Sequence, residues 1–123
     1  MRSRLEQDLF SGLVPLHILH HANEQPVYGM WIIEELAEHG YKLSAGTLYP
    51  LLHRIEKRGL LRSEAKRAGS RSRRVYRITP AGRRALAEAK HKVSELFGEL
   101  FESDLRRVFG HHGQTRRRKT GEK

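Results

Sequence analysis

The segment that most constrains the fold runs from Ser44 to Leu61, SAGTLYPLLHRIEKRGLL, because it combines an amphipathic pattern with a signal at each end. Its apolar residues recur at intervals of three and four, which gathers them on one side of a helix: Leu48, Leu51, Leu52 and Ile55. Ser44 can cap the first turn, and Gly59 can adopt the left-handed conformation that lets Leu60 fold back on Ile55. The pattern predicts a short, rigid helix with one face against a core.

The opposite face of this helix carries hydroxyl, imidazole and cationic groups: Thr47, Tyr49, Pro50, His53, Arg54 and Lys57. Such groups suit base edges and phosphates better than they suit plain solvation. Proline in a helix interior costs about 3 kcal/mol, so we expect Pro50 to loosen the first turn. An ordinary amphipathic core helix would show the same periodicity, and the flanking segments decide between the two interpretations.

Two helices precede this segment and two strands follow it. The first helix is predicted over 9–22, with an apolar surface formed by Leu9, Leu13, Leu16 and His20 along one side and broadened by Phe10, Val14 and Ile18. The second helix is predicted over 28–39, closed by Gly40. Alternating residues predict strands at 61–66 and 74–78, with the turn at 67–73. The fold class is therefore mainly α (α+β), a winged helix-turn-helix whose two-stranded wing rests on the helices and leaves its cationic tip in water.

The positive charge of the chain is concentrated in two short segments. Of the 24 Lys and Arg residues, 7 lie in 62–77 beside 1 acidic residue, and 5 lie in 110–123 beside 1 acidic residue, whereas the whole chain carries +10. A polyanion such as nucleic acid is the partner that such arms would follow. We expect Arg67, Arg71, Arg73 and Arg74 to contact phosphates, and we expect no membrane contact because no apolar face adjoins the charge.

A long apolar band follows the wing. Thr79 and Pro80 are a capping residue and a first helical residue, and the pattern then predicts one helix over 81–109, about 45 Å long at 1.5 Å per residue. A chain of 123 residues forms one compact domain and cannot cover so long a band, so we expect a homodimer. The predicted dimer contacts are Val93, Leu96, Phe97, Leu100, Phe101 and Leu105. The alternative is a helix that folds back on its own domain.

These features divide the chain into a winged helix-turn-helix domain (1–79), a C-terminal dimerisation helix (80–110) and a disordered basic tail (111–123), since the tail lacks periodic apolar residues. Gly98 lies inside the long helix, where it weakens the helix by about 1 kcal/mol relative to alanine and permits a bend or a close backbone approach.

The order of elements resembles that of the PadR family of bacterial winged-helix transcriptional regulators, especially its short-tailed subgroup, over about residues 9–109. The stretches that carry the resemblance are GTLYPLLHRIEKRGLL (46–61), VYGMWIIEEL (27–36) and RVYRITPAGRRAL (74–86). Where the family usually has Tyr-Gly-Tyr, this chain has Tyr28, Gly29 and Met30. The resemblance implies that the helix from Ser44 to Arg58 reads a major groove, that the wing reaches the adjacent backbone or minor groove, and that the C-terminal helix pairs two subunits.

The combined prediction is a sequence-specific DNA-binding regulator, a repressor that binds a palindromic operator as a homodimer. The candidate DNA-contacting residues are Tyr28, Ser44, Thr47, Tyr49, Pro50, His53, Arg54, Lys57, Arg67, Arg71, Arg73 and Arg74. Some members of the family bind planar hydrophobic or phenolic effectors between their subunits, in certain cases on a tryptophan of the C-terminal helix. Trp31 is the only tryptophan here and lies in the second helix, so an effector would meet Phe97 and Phe101 instead.

Two other functions fit parts of the sequence. A basic RNA-binding or ribosome-associated protein would use the same charge, although the aromatic residues mostly fall on apolar stripes rather than on exposed platforms. A metal sensor on the same scaffold would use His17, His20 and His21, or His111 with His112, without any cysteine. We assign no metal site and no cofactor.

Motifs of catalysis and of export are not recognisable in the sequence. It has no Gly-rich phosphate loop and no nucleophile motif, so we expect no enzymatic activity. It also has no apolar run of about 20 residues and no signal-peptide pattern at its start, so we expect a cytoplasmic protein.

Overall fold

The computed structural model describes Leu5 and residues 10–109, so the predicted tail at 111–123 lies outside the described residues. The described chain forms five helices and three strands. In chain order these are α1 (Leu13–Glu24), β1 (Val27–Tyr28), α2 (Gly29–Glu38), α3 (Ala45–Lys57), β2 (Leu61–Ala68), β3 (Arg71–Ile78), α4 (Pro80–Leu100) and α5 (Glu102–Phe109). The predicted succession of three helices, a strand pair and a C-terminal helix is present.

The chain divides into two compact units, one up to Glu88 and one from Ala89 onward. The first nine residues of α4 therefore belong with the helices and the sheet, although the sequence suggested a boundary after Thr79. The reason is packing, because Gly82 and Leu86 of α4 are buried.

Helix α1 buries only part of the predicted apolar surface, at Val14 and Ile18. Its buried residues are Val14, Ile18, Leu19 and Ala22, whereas Leu13 and His20 are exposed. The helix begins at Leu13. Pro15 fits its first turn, because the first amides of a helix have no intrahelical acceptor.

The sheet has three antiparallel strands in the order β1-β3-β2, not the two that the sequence predicted. Strand β1 has two residues, Val27 opposite Tyr76 and Tyr28 opposite Val75, and is too short to show an alternating pattern. The hairpin is also tighter than the predicted turn at 67–73. Ala68 pairs with Arg71, which leaves only Gly69 and Ser70 between the strands, and Gly69 has a positive φ of 68°.

The core of the first unit lies between α1, α2, α3, the sheet and the start of α4. Its most deeply buried side chains are Ile18, Ile32, Leu36, Leu48, Leu52, Leu61 and Val27. The predicted stripe of α3 is confirmed at Leu48, Leu52 and Ile55, which are buried. Leu51 is partly buried against the same core.

Both ends of α3 form as predicted, and Pro50 lies inside the helix without interrupting it. At the C-terminal end the Leu60 amide donates to the Ile55 carbonyl at 3.2 Å, and the Gly59 amide donates to the Glu56 carbonyl at 2.8 Å. This is the Schellman arrangement, and Gly59 adopts the required positive φ of 83°. The expectation of a loosened turn at Pro50 is wrong, because the helix continues through the proline from Ala45 to Lys57.

Helix α4 begins on a cap that also fixes it to the end of α3. The Thr79 hydroxyl oxygen accepts from the Gly82 amide at 2.9 Å, and the same hydroxyl donates to the Gly59 carbonyl at 2.6 Å. A Cβ on Gly82 would lie 2.1 Å from the Leu60 carbonyl oxygen. Glycine is therefore required where α4 crosses the chain that leaves α3.

The predicted single C-terminal helix is wrong, because it is divided into α4 and α5 at Phe101. The Phe101 amide still donates to the Phe97 carbonyl at 3.0 Å, so the interruption lies just after the last turn of α4. Gly98 lies within α4, three residues before the interruption. From Ala89 onward no apolar side chain that the structure describes is buried.

Candidate nucleic-acid interface

The start of α3 is held by Ser44. Its side-chain oxygen accepts from the Thr47 amide at 3.2 Å, and its hydroxyl donates to the Thr47 hydroxyl at 3.3 Å. Ser44 was a candidate DNA-contacting residue, and its contacts give it a capping function as well. Both residues are exposed, so the first turn of α3 presents its hydroxyl groups to solvent.

The outer face of α3 forms one continuous exposed surface. Its lining residues are five of the predicted DNA-contacting residues: Tyr49, Pro50, His53, Arg54 and Lys57. None of the three cationic or imidazole side chains has a hydrogen bond or an ion pair to another described residue. The exposed face of α3 therefore carries hydrogen-bond donors that no described residue uses, while the opposite face of the helix is buried in the core.

Tyr49 differs from the rest of this face because its ring packs on the start of α2. A Cβ on Gly29 would lie 2.3 Å from the Tyr49 hydroxyl oxygen and 2.5 Å from Cζ. The ring is 37% exposed, so part of its surface is used for this contact. Tyr49 therefore positions α2 against α3 in addition to any contact with a ligand, and Gly29 provides the space for it.

The four predicted wing arginines are exposed, but the hairpin register divides them between the two faces of the sheet. Arg67 is opposite Ser72, and Arg74 lies two residues beyond Ser72, on the face that carries the buried Leu61 and Ile78. Arg71 and Arg73 alternate with these and belong to the other face. Sequence reasoning treated the four residues as equivalent, and the pairing shows that they are not.

Two of these arginines have partners within the protein. The Arg73 guanidinium lies 4.3 Å from the ring centroid of Tyr28, a cation–π geometry that joins β3 to β1. Arg74 Nη1 donates to Ser63 Oγ at 3.0 Å. Arg67 and Arg71 have no side-chain partner among the residues that the structure describes, so they are the freer cations of the wing.

A carboxylate under the wing was not predicted. Glu56 accepts from the Ser63 amide at 3.0 Å and from the Ser63 hydroxyl at 2.9 Å, which links α3 to β2. Together with Arg74, these groups line a groove between α3 and the wing that also includes His53 and Lys57. The hydrogen bonds between Glu56 and Ser63 in this groove fix the wing to α3. No pattern in the sequence connects Glu56 with Ser63 or Arg74.

Burial raises the pKa of the Tyr76 hydroxyl, and the negative charge of Glu56 raises it further, against an opposing effect of Arg74. Tyr76 therefore stays a neutral phenol in the core beneath this groove. Lys66, opposite Arg73, is an exposed cation of the wing that the prediction also omitted. The alternation at 61–66 could have identified it.

The predicted dimer contacts in the second unit are exposed. Five of them can be described: Val93, Leu96, Phe97, Leu100 and Phe101, with exposed fractions between 40% and 63%. The rings of Phe97 and Phe101 lie 4.8 Å apart between centroids. The side chain of Leu105 lies outside the described set.

The histidines considered for a metal sensor fall into two overlapping groups. His17 and His21 adjoin His39, which the sequence did not connect with them, whereas His20 and His21 adjoin Glu24. Burial lowers the pKa of His17, and the nearby His39 and His21 lower it further.

Among the described helices, none combines the length and the apolar character needed to cross a bilayer.

A two-sided helix fixed by caps, next to a basic antiparallel hairpin, defines the DNA-binding winged-helix class of protein. The comparisons with known proteins agree with this assignment. The model of the transcriptional regulator PadR-like family matches residues 18–88. The transcriptional regulator Rv3488 of Mycobacterium tuberculosis is 55% identical over 87 residues, which cover 71% of this chain and 81% of that protein.

Two solved structures show the same fold. A PadR family transcriptional regulator from Eggerthella lenta superposes with a TM-score of 0.66 at 37% identity, over 80% of this chain and 89% of that one. A PadR-like transcription factor from Bacteroides fragilis superposes with a TM-score of 0.70 at 27% identity, over 81% and 98% of the two chains. The chain belongs to the PadR-like family of transcriptional regulators. The predicted family and the winged-helix fold class are confirmed.

Proposed function

We propose that this regulator binds a palindromic operator as a homodimer and that the outer face of α3 enters the major groove. The observation that supports this most strongly is that His53, Arg54 and Lys57 have no partner among the described residues, on a helix whose opposite face is buried at Leu48, Leu52 and Ile55. A helix held in this way can be inserted without distortion, and the major groove is wide enough to admit it.

The α3 residues fall into separate roles under this proposal. Thr47, His53 and Arg54 carry donors and acceptors at the exposed face and read base edges, while Lys57 contacts a phosphate at the end of the helix. Tyr49 and Pro50 supply apolar surface in the groove. Ser44 contacts the backbone through the first turn that it caps.

The wing supplies affinity that depends little on sequence. Arg67 and Arg71 contact phosphates directly, because neither is used by another described side chain. Arg73 and Arg74 reach the DNA from fixed positions, beside Tyr28 and Ser63 respectively. Holding a cation before binding reduces the side-chain entropy that the contact costs.

The homodimer brings two α3 helices to one duplex. We assign the contact to the exposed apolar side chains of the second unit, which include Leu96 and Phe97, since so large an apolar surface on a small chain is unfavourable in water. A twofold pair predicts half-sites about one helical turn apart.

Repression follows where the bound dimer occludes a promoter, and we place the protein in the cytoplasm, where that DNA lies. A small hydrophobic or phenolic effector would bind beside Phe97 and Phe101 and relieve repression by changing the spacing of the two α3 helices.

The test begins with selection of bound sequences from a random duplex library by the full chain. The expected product is an inverted repeat. Arg54→Ala should then lower the preference for the selected site over random duplex, by about 1–3 kcal/mol for a lost base contact. Arg71→Ala should instead weaken both duplexes alike and reduce the slope of affinity against salt by about 1.

Lys90→Ala is the matched control, because it removes one exposed positive charge from the second unit. Equal effects of Arg54→Ala and Arg71→Ala on specificity would contradict the division between reading and anchoring. Tighter binding to structured RNA than to the selected duplex, in direct competition, would contradict DNA as the partner.

A further inference from the structure

The histidines at the junction of α1 and α2 form a group that DNA binding does not use. We propose that His17, His21 and His39 bind a divalent transition-metal ion of the Zn²⁺ or Ni²⁺ type and thereby clamp α1 to the end of α2. One imidazole nitrogen from each of these three side chains lies within 4.8 Å of the other two.

The fold brings these residues together from two elements. His17 and His21 are one turn apart on α1, so they share a face. His39 ends α2, where the Tyr41 amide donates to the Leu36 carbonyl at 2.9 Å and Gly40 has a positive φ of 90°. This turn holds His39 over His17, with 4.8 Å between the two ring centroids.

The spacing is close to that of a metal site. Zinc–nitrogen bonds of 2.0–2.1 Å in a tetrahedron place neighbouring ligand atoms about 3.4 Å apart. Glu35 Oε2 already lies 3.4 Å from His39 Nε2 and 3.6 Å from His21 Nε2. The three imidazole nitrogens lie within 4.8 Å of one another, so they must approach by up to about 1.4 Å, and His39 has an exposed side chain that can move to close this distance.

One atom in the group points to a missing ligand. His21 Nε2 is buried and makes no hydrogen bond to a described residue, since Glu35 Oε2 at 3.6 Å lies beyond hydrogen-bond distance. A buried polar atom without a partner costs free energy, and a metal ion would use its lone pair.

The donor set selects the kind of metal. Imidazole nitrogens with one carboxylate suit Zn²⁺, Ni²⁺ or Cu²⁺, whereas Mg²⁺ and Ca²⁺ prefer oxygen ligands. The chain contains no cysteine, which removes thiolate ligands from consideration. Glu35 supplies the negative charge that offsets the cation.

The second histidine group is the internal competitor. His20 and Glu24 are exposed on α1 and, together with the partly buried His21, offer a site on one helix. The two groups share His21, so His21 cannot distinguish them. Substitution of His39 or of His20 distinguishes the two groups, because each of these residues belongs to one group only.

The experiment measures heat of binding when ZnCl₂, NiCl₂ or MgCl₂ is titrated into the full chain after removal of any affinity tag. The fluorescence of Trp31 gives a second readout, because Trp31 is the only tryptophan in the chain. The centroid of its ring lies 5.2 Å from that of the His21 ring. We expect one Zn²⁺ or Ni²⁺ per chain, a change in Trp31 fluorescence with the same affinity, and no response to Mg²⁺.

His39→Ala should weaken binding at least about tenfold, while His20→Ala should leave it unchanged. His39→Gln keeps the size of the side chain, and circular dichroism checks the fold of each variant. Absence of Zn²⁺ and Ni²⁺ binding would overturn the proposal. So would loss of binding in His20→Ala, or full retention in both His39 variants, because either result places the ion elsewhere.

Discussion

The two units of this chain use the same kind of amphipathic helix with opposite results. In the first unit the apolar stripe of α3 is covered by the chain itself, and Leu48 and Leu52 are each 0% exposed. In the second unit the corresponding stripe of α4 remains open, with Leu96 and Phe97 each about half exposed. Periodicity alone therefore does not tell whether a helix is covered by its own chain.

The difference shows where each unit obtains its stability. Burial of apolar surface contributes about 25 cal/mol per Å², and the first unit obtains it within one chain. The second unit retains the same type of surface and obtains the contribution only when another surface covers it. We therefore expect the removal of a large apolar side chain to act on folding in the first unit and on association in the second.

The largest effect is expected from removing a core side chain. Leu52→Ala should lower the free energy of unfolding by about 2–5 kcal/mol, because it leaves a cavity among buried neighbours. The loss should be independent of protein concentration. Urea unfolding followed by Trp31 fluorescence measures it, since Trp31 lies in α2 of the first unit.

Leu96→Ala is the matched leucine in the second unit. It should leave that unfolding curve unchanged at low protein concentration and alter the association equilibrium instead. A destabilisation as large as that of Leu52→Ala in the monomer would remove the contrast between the units.

Two glycines of α4 should respond in opposite directions. Gly82→Ala should lower stability by about 1–3 kcal/mol, because its Cβ would meet the Leu60 carbonyl. Gly98→Ala should stabilise α4 by up to about 1 kcal/mol, since a Cβ there meets no described atom within 4 Å. Thermal unfolding by circular dichroism compares the two. A loss at Gly98 would contradict the open surface that we assign to this part of α4.

The last comparison concerns hydroxyl groups. Thr79→Ala should cost about 1–2 kcal/mol, because it removes both the cap of α4 and the bond to the Gly59 carbonyl. Ser94→Ala is the control, because Ser94 lies exposed inside α4 and caps no helix. Alanine there should stabilise the helix by a few tenths of a kcal/mol. Chemical denaturation of the two variants side by side measures the difference. Equal stabilities would show that the Thr79 cap does not fix the start of α4.

Features that depend on neighbours in sequence were predictable. The cap at Ser44, the Schellman turn at Gly59 and the start of α4 at Thr79 follow from local hydrogen-bonding rules, and all three are present. The polar face of α3 follows from the same periodicity as its buried face. Local rules are therefore sufficient to place the candidate interface on α3.

Features that depend on tertiary contacts were not predictable. Strand β1 exists only because β3 pairs with it, and the division of the wing arginines follows from a register set by a two-residue turn. The contact of His39 with His17 joins residues on different helices. No periodicity within one element carries that information.

Sedimentation equilibrium of the full chain tests the central contrast most directly. We predict a mass twice the 14.3 kDa of one chain, reduced to a single chain in the double variant Leu96→Glu and Phe97→Glu without loss of the folded first unit. A mass of 14.3 kDa for the unmodified chain at micromolar concentration, or a dimer that survives both substitutions, would contradict the assignment of the open stripe to a second copy.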